Sequence, residues 1–183
     1  MGKRETEASL RCMELGIERT TMGLNLVRLS EIELTDIIVL HNDPRVLRHL
    51  PLADGNFDEF ECARWVESKE TQWEVNGYGP WGFLINGVFA GWGGFQLEMG
   101  DVDLALVLSP EFWGCGRAIY RKIIEVAFKE MGFESVTALL PPSRVRADGM
   151  LRLGFQAEDQ VEVSGTIFYR YRLWAPEQRQ RKG

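Results

Sequence analysis

The chain has 183 residues, enough for one domain with a sizeable core. Hydrophobic residues make up 45% and charged residues 26%, the balance of an ordinary soluble globular protein. The formal net charge of −6 argues against general attraction to nucleic acid or to an anionic membrane surface.

Cys12, Cys62 and Cys115 are odd in number and widely spaced. They argue against a disulfide framework or a cysteine-based zinc site, and for a reducing, cytoplasmic compartment. His41 and His49 carry no zinc-binding motif and read as surface or internally satisfied side chains, so no metal is expected. No stretch is apolar enough to span a membrane. The first twenty residues are charged throughout and lack a signal-peptide core. Met1 to Thr6 fits the short myristoylation pattern, but nothing else supports an anchor.

Residues 1–22 read as an extension, partly helical or disordered. The alternation in Leu24 to Leu29 predicts a first strand. Ser30, followed by Glu31 and Glu33, predicts a helix start, and Asp43-Pro44 its stop. Asp58 is positioned to cap a second helix carrying Phe60, Ala63, Trp65, Val66 and Trp73, which ends at Gly77 to Pro80. Asn86-Gly87 between two apolar runs is a two-residue hairpin signal. A strand follows over 101–108, broken by Ser109-Pro110. Apolar spacing at Ile119, Ile123, Ile124, Ala127 and Phe128 predicts a helix over 116–131. A strand over 135–140, a short helix from about Arg144 to Leu153, and a hairpin around Ser164-Gly165 complete a domain over 23–174. The tail, 175–183, is polar and basic. From Arg170 to the end there are five basic residues against one acid, the one local invitation to nucleic acid. The expected fold class is α/β: a single mixed, largely antiparallel sheet flanked by helices.

The sharpest local feature is Pro110-Glu-Phe-Trp-Gly-Cys-Gly-Arg-Ala118, between a buried strand and an amphipathic helix. Gly114 and Gly116 let a ligand approach the backbone. A helix start offers N–H groups and a positive dipole end to an anion such as a pyrophosphate. Arg117 either adds charge there or is solvated.

Trp-Gly-x-Gly-x-Ala before a helix resembles the pyrophosphate loop of the GNAT superfamily of N-acyltransferases, and more closely the branch of ribosomal-protein N-terminal acetyltransferases. Asn42-Asp43-Pro44-Arg45-Val46 and Leu153-Gly154-Phe155 are similar to further motifs of that branch, and the element order matches over 24–174. The resemblance implies an acetyl-CoA co-substrate held by Trp113, Gly114, Cys115, Gly116, Arg117 and Ala118. It also implies a splayed fourth strand whose backbone, at Leu106, Val107 and Leu108, binds the pantetheine amides. Ser143 occupies the slot of a cofactor-contacting Asn, and Met150 that of a tyrosine general acid. The implied acceptor is a primary amine, on a small molecule or a protein N-terminus. A homodimer is also implied.

Asp103 is the expected general base, directly or through a water, because related enzymes carry an acidic residue near it. Desolvation should raise its pKa. Glu98 is a second candidate. Ser143 and Tyr169 are the candidate acids, Tyr169 on the expectation that it and Tyr171 face opposite sides of the sheet. Cys115 reads as a buried small residue rather than a nucleophile. Trp81, Trp92 and Trp113 either line a substrate slot or pack in the core.

Three alternatives stand beside the acyltransferase. A non-catalytic acyl-CoA-binding module of the same fold accounts for Ser143 and Met150. A Rossmann-type nucleotide domain has Glu134 at the right distance, but Ile119 in the third glycine position. A toxin acylating aminoacyl-tRNA fits the basic tail. The acceptor would be chosen by the loop 51–57, the second helix and the final hairpin, and the acidic surface favours a cationic amine.

Overall fold

The computed structural model describes residues 23–53, 56–142 and 147–178. In chain order the elements are β1 (Leu24–Arg28), α1 (Leu34–Asn42), α2 (Glu59–Asn76), β2 (Pro80–Ile85), β3 (Val88–Glu98), β4 (Asp101–Leu108), α3 (Gly116–Glu125), β5 (Ser135–Leu140), α4 (Ala147–Arg152), β6 (Gln156–Val163) and β7 (Thr166–Trp174). This is the predicted order. Short additions are 3-10 turns at Leu29–Glu31 and Pro110–Cys115, one helical turn at Pro44–Leu47, and a π turn at Val126–Glu130 that prolongs α3.

Local chemistry sets most boundaries. Asp58 caps α2 by accepting from the Glu61 N–H at 2.8 Å. Gly77, at φ 74°, closes α2 in the left-handed conformation. Asn86-Gly87 and Ser164-Gly165 adopt positive φ at both positions, as primed hairpin turns require. Met99-Gly100 does the same between β3 and β4.

One boundary and one side-chain facing differ from expectation. α1 begins at Leu34, not after Ser30. The Ser30 N–H donates to Glu70 of α2, and the Arg28 N–H to Glu31. Side chains therefore satisfy amides that a helix start would otherwise leave open, and the chain makes only a 3-10 turn there. Tyr169 and Tyr171 share a face, because strand side chains repeat every two residues. Tyr171 is 6% exposed and packs in the core, whereas Tyr169 is 41% exposed nearer the hairpin end.

The seven strands form one sheet in the order β1-β2-β3-β4-β5-β7-β6. Every neighbouring pair is antiparallel except β4–β5. That parallel pair meets in register only at Asp103 and Thr137. Beyond it, β4 runs on through Leu104 to Leu108 without a ladder partner on that side. Alternate residues of β4 serve different cores. Ala105 and Val107 pack with α1 and α2, while Leu104, Leu106 and Leu108 pack with α3. Behind β4, Gly91 and Gly93 of β3 let the two backbones close up. A Cβ on either would collide with the Val107 or Ala105 carbonyl.

Below the parting, one arginine ties four strands together. Arg172 of β7 donates from both terminal nitrogens to Asp101 of β4, each at 2.8 Å. It also reaches Ser135 of β5 at 3.0 Å and Glu158 of β6 at 2.6 Å. Arg170 adds a second pairing to Glu158. Arg172→Leu leaves two carboxylates without their main partner and should lower the free energy of unfolding by about 2–3 kcal/mol, measured by urea titration.

Candidate active site

The parting of β4 from β5 places three pieces together: the open edge of β4, the start of α3 and Asp103. Pro110 forces the turn out of β4. The chain then winds as a 3-10 turn directly into α3, and no side chain caps that start. The loop expected at 113–118 is thus already helical. Gly116 has φ −53°, so its use lies in its small size rather than in a positive φ.

Trp113 fixes this turn to the strand, its indole N–H donating to the Leu108 carbonyl at 3.0 Å. That carbonyl is therefore already engaged, while Leu106 and Val107 lie on the unladdered stretch. Gly114, Arg117 and Ala118 are exposed, and Cys115 is buried in the α3 core. An anion at the head of α3 would meet uncapped backbone N–H groups, the exposed Arg117 stands in the first turn, and residues 112–118 contain no acid. These residues fit a pyrophosphate-bearing group.

Asp103 is 5% exposed. It faces the α1/α2 side, as Ala105 and Val107 do. Its Oδ1 accepts from the Thr137 hydroxyl at 3.0 Å. Its other oxygen has no hydrogen-bond partner among the described residues. Burial raises its pKa to about 7, the Thr137 hydrogen bond opposes the rise, and the negative charges of Glu98 and Asp101 add to it. Glu98 thus acts on Asp103 through its charge from the end of β3. Asp101, on the same strand and face, goes the other way: the Arg172 hydrogen bonds hold it below the usual carboxylate range.

The remaining expected residues separate. Ser143 lies outside the described residues. Tyr169 pairs with Leu140 on β5, three residues beyond Thr137, and so points to the α3 side of the sheet, away from Asp103. Met150 is partly buried against the α3 core. Trp81 and Trp92 are core residues, whereas Trp113 is 45% exposed.

The sequence reading missed Thr137, whose signal was a polar side chain inside the otherwise apolar run Val136 to Leu140. It also missed a cluster above β3. There the Trp92 indole donates to His41 Nε2 at 2.9 Å, and Lys69 Nζ donates to Gln96 Oε1 at 2.8 Å. Gln96 lies directly opposite Asp103 in the β3–β4 register.

The family model for the acetyltransferase (GNAT) domain matches residues 24–156. The chain belongs to the GNAT acetyltransferases. Solved structures share its fold at low identity. An acetyltransferase from Agrobacterium tumefaciens superposes with a TM-score of 0.67 at 17% identity, over 85% of this chain and 93% of that one. Spermidine N-acetyltransferase from Vibrio cholerae, in complex with CoA and spermine, gives 0.63 at 12% over 85% and 96%. Aminoglycoside acetyltransferase AAC(6')-Ib, in complex with coenzyme A and kanamycin, gives 0.66 at 15% over 88% and 99%. No curated protein sequence matches the chain significantly.

Because the folded pKa of Asp103 stands above that of an unfolded aspartate, the group costs stability as pH rises from about 4 to about 7, and the full cost persists above that. Asp103→Asn should therefore be more stable than the parent protein at about pH 8, by up to about 4 kcal/mol. The difference should vanish below pH ~3, where Asp103 is neutral in both the folded and the unfolded chain. Thermal melts at the two pH values check this.

Proposed function

We propose that this GNAT protein transfers an acetyl group from acetyl-CoA to a primary amine, on a small molecule or a protein N-terminus, with Asp103 as general base. The observation that carries the reading is a desolvated carboxyl at the foot of an open strand edge, next to a helix start that suits a pyrophosphate. Asn42 to Val46 and Leu153 to Phe155 favour, within the family, the branch of ribosomal-protein N-terminal acetyltransferases.

Acetyl-CoA would supply an acyl thioester, whose thiolate is a tolerable leaving group. The chain's own residues do the rest. The α3 start and Arg117 hold the pyrophosphate, and the β4 backbone at Leu106 and Val107 aligns the pantetheine amides. Asp103 accepts the amine proton, directly or through one water, on the oxygen that Thr137 leaves open. Thr137 keeps that carboxyl oriented. A carboxyl with a pKa near 7 is matched to this work, being half-ionised at neutral pH yet more basic than an exposed aspartate. Ser143 stands as the candidate for protonating the thiolate.

The test is thiol release from acetyl-CoA with a panel of amines. Turnover should rise with pH through an inflection near 7 as Asp103 ionises. Asp103→Asn should lower kcat/KM by about 10²–10⁴-fold and abolish that inflection, while CoA affinity stays unchanged. Tight CoA binding without turnover of any amine would favour the non-catalytic module. Failure to bind CoA would defeat both readings.

A second variant probes the other half of the site. Arg117→Ala should weaken CoA binding by about tenfold, read by calorimetry, because a charge-assisted phosphate contact is lost.

A further inference from the structure

Lys69 is the cation on the α1/α2 face that acyl transfer leaves unexplained. It projects from α2 with its ammonium over the rings of Trp65 and Trp92, at 5.6 and 5.8 Å. Trp65 and Trp92 meet edge to face, and both pack on His41, which stacks on Phe57 at 4.3 Å. Burial, reinforced by the Lys69 charge, holds the His41 pKa at about 4. The imidazole is therefore neutral and does not compete as a cation.

An ammonium has three donors, and Gln96 is its one hydrogen-bond partner among the described residues. Glu98 contributes a favourable charge, yet burial dominates and lowers the Lys69 pKa. A half-buried ammonium held over two indole faces, with one protein hydrogen bond, is placed to gain more from an arriving anion than a fully solvated one. Its anchor, Gln96, stands opposite Asp103 on the neighbouring strand and faces the same way. The two side chains are separated by one strand spacing, about 5 Å. An acceptor amine at Asp103 and its carboxylate at Lys69 would thus lie on one face of the sheet.

We infer that Lys69 binds a carboxylate on the acceptor, so that the substrate is an amino carboxylate rather than a polyamine. The inference rests on the acetyl-transfer reading and deepens it. It replaces the cationic acceptor that the net charge suggested. Spermine and kanamycin, the ligands of the two solved complexes, are polycations that a fixed ammonium would repel.

The experiment compares kcat/KM for β-alanine and γ-aminobutyrate with propylamine, butylamine and putrescine, following thiol release from acetyl-CoA. The amino carboxylates should be favoured over the matched alkylamines by about tenfold or more, and putrescine disfavoured. Lys69→Met should bring that ratio to within about twofold of unity, chiefly through KM for the amino carboxylate, while Lys69→Arg keeps the preference. Propionate should inhibit propylamine acetylation competitively in the parent protein, a readout that needs no variant. A parent ratio near one without inhibition by propionate overturns the inference and leaves acetyl transfer standing. So does a preference that survives Lys69→Met in a variant with the parent melting temperature. Failure to turn over either amino carboxylate while other amines of the wider panel are acetylated also overturns the inference and leaves acetyl transfer standing, whereas no turnover of any amine in that panel overturns the acetyl-transfer reading itself.

Discussion

The Arg172–Asp101 fork is the interaction on which the rest of the structure depends. The sheet opens between β4 and β5 and still remains one sheet. Here the two strands share a single register position, Asp103 with Thr137, and backbone pairing there is minimal. The guanidinium crosses from β7 over Ser135 to Asp101 and also holds Glu158. One planar cation thus bridges four strands, with geometry that a lysine could not reproduce. Its position also divides the ionisation of two aspartates two residues apart on one face. Asp101 has the arginine and stays charged. Asp103 has a hydroxyl and burial, and holds its proton to near neutrality. The clamp that closes one end of the opening leaves the carboxyl above it without a counterion.

The order of elements was readable because it is written in short-range chemistry. Asn86-Gly87, Ser164-Gly165, Asp58 and Gly77 each act within a turn or two, and each produced the boundary expected of it. Ser30 did not, since the group that captures its amide, Glu70, is forty positions away in sequence. The tyrosine pair shows a different failure. Positions 169 and 171 have the same parity, and the period of a strand alone places both on the α3 side.

The site was legible in part. The turn at 110–118 and the carboxyl at 103 stand out in one dimension, because a helix start after a proline and an acid entering an apolar strand are local anomalies. The partners that define Asp103 are not local. Thr137 comes from β5 and Gln96 from β3, and only the fold brings them beside that carboxyl. Net charge is a poor guide to the acceptor for the same reason. A total of −6 averages over the surface and says nothing of a recess whose one cation is walled by tryptophan.

β6 forms one outer boundary of the sheet and carries Glu158, Asp159 and Glu162 in eight residues. Asp159 and Glu162 are not paired in any ion bridge among the described residues. A bare strand edge is a template for adding another strand, and like charges along it penalise a second copy approaching in either direction. The opposite boundary, β1, is only five residues long. Both margins are thus poor seeds for runaway strand addition, so the open gap inside the sheet can persist without the rim becoming a route to fibrils.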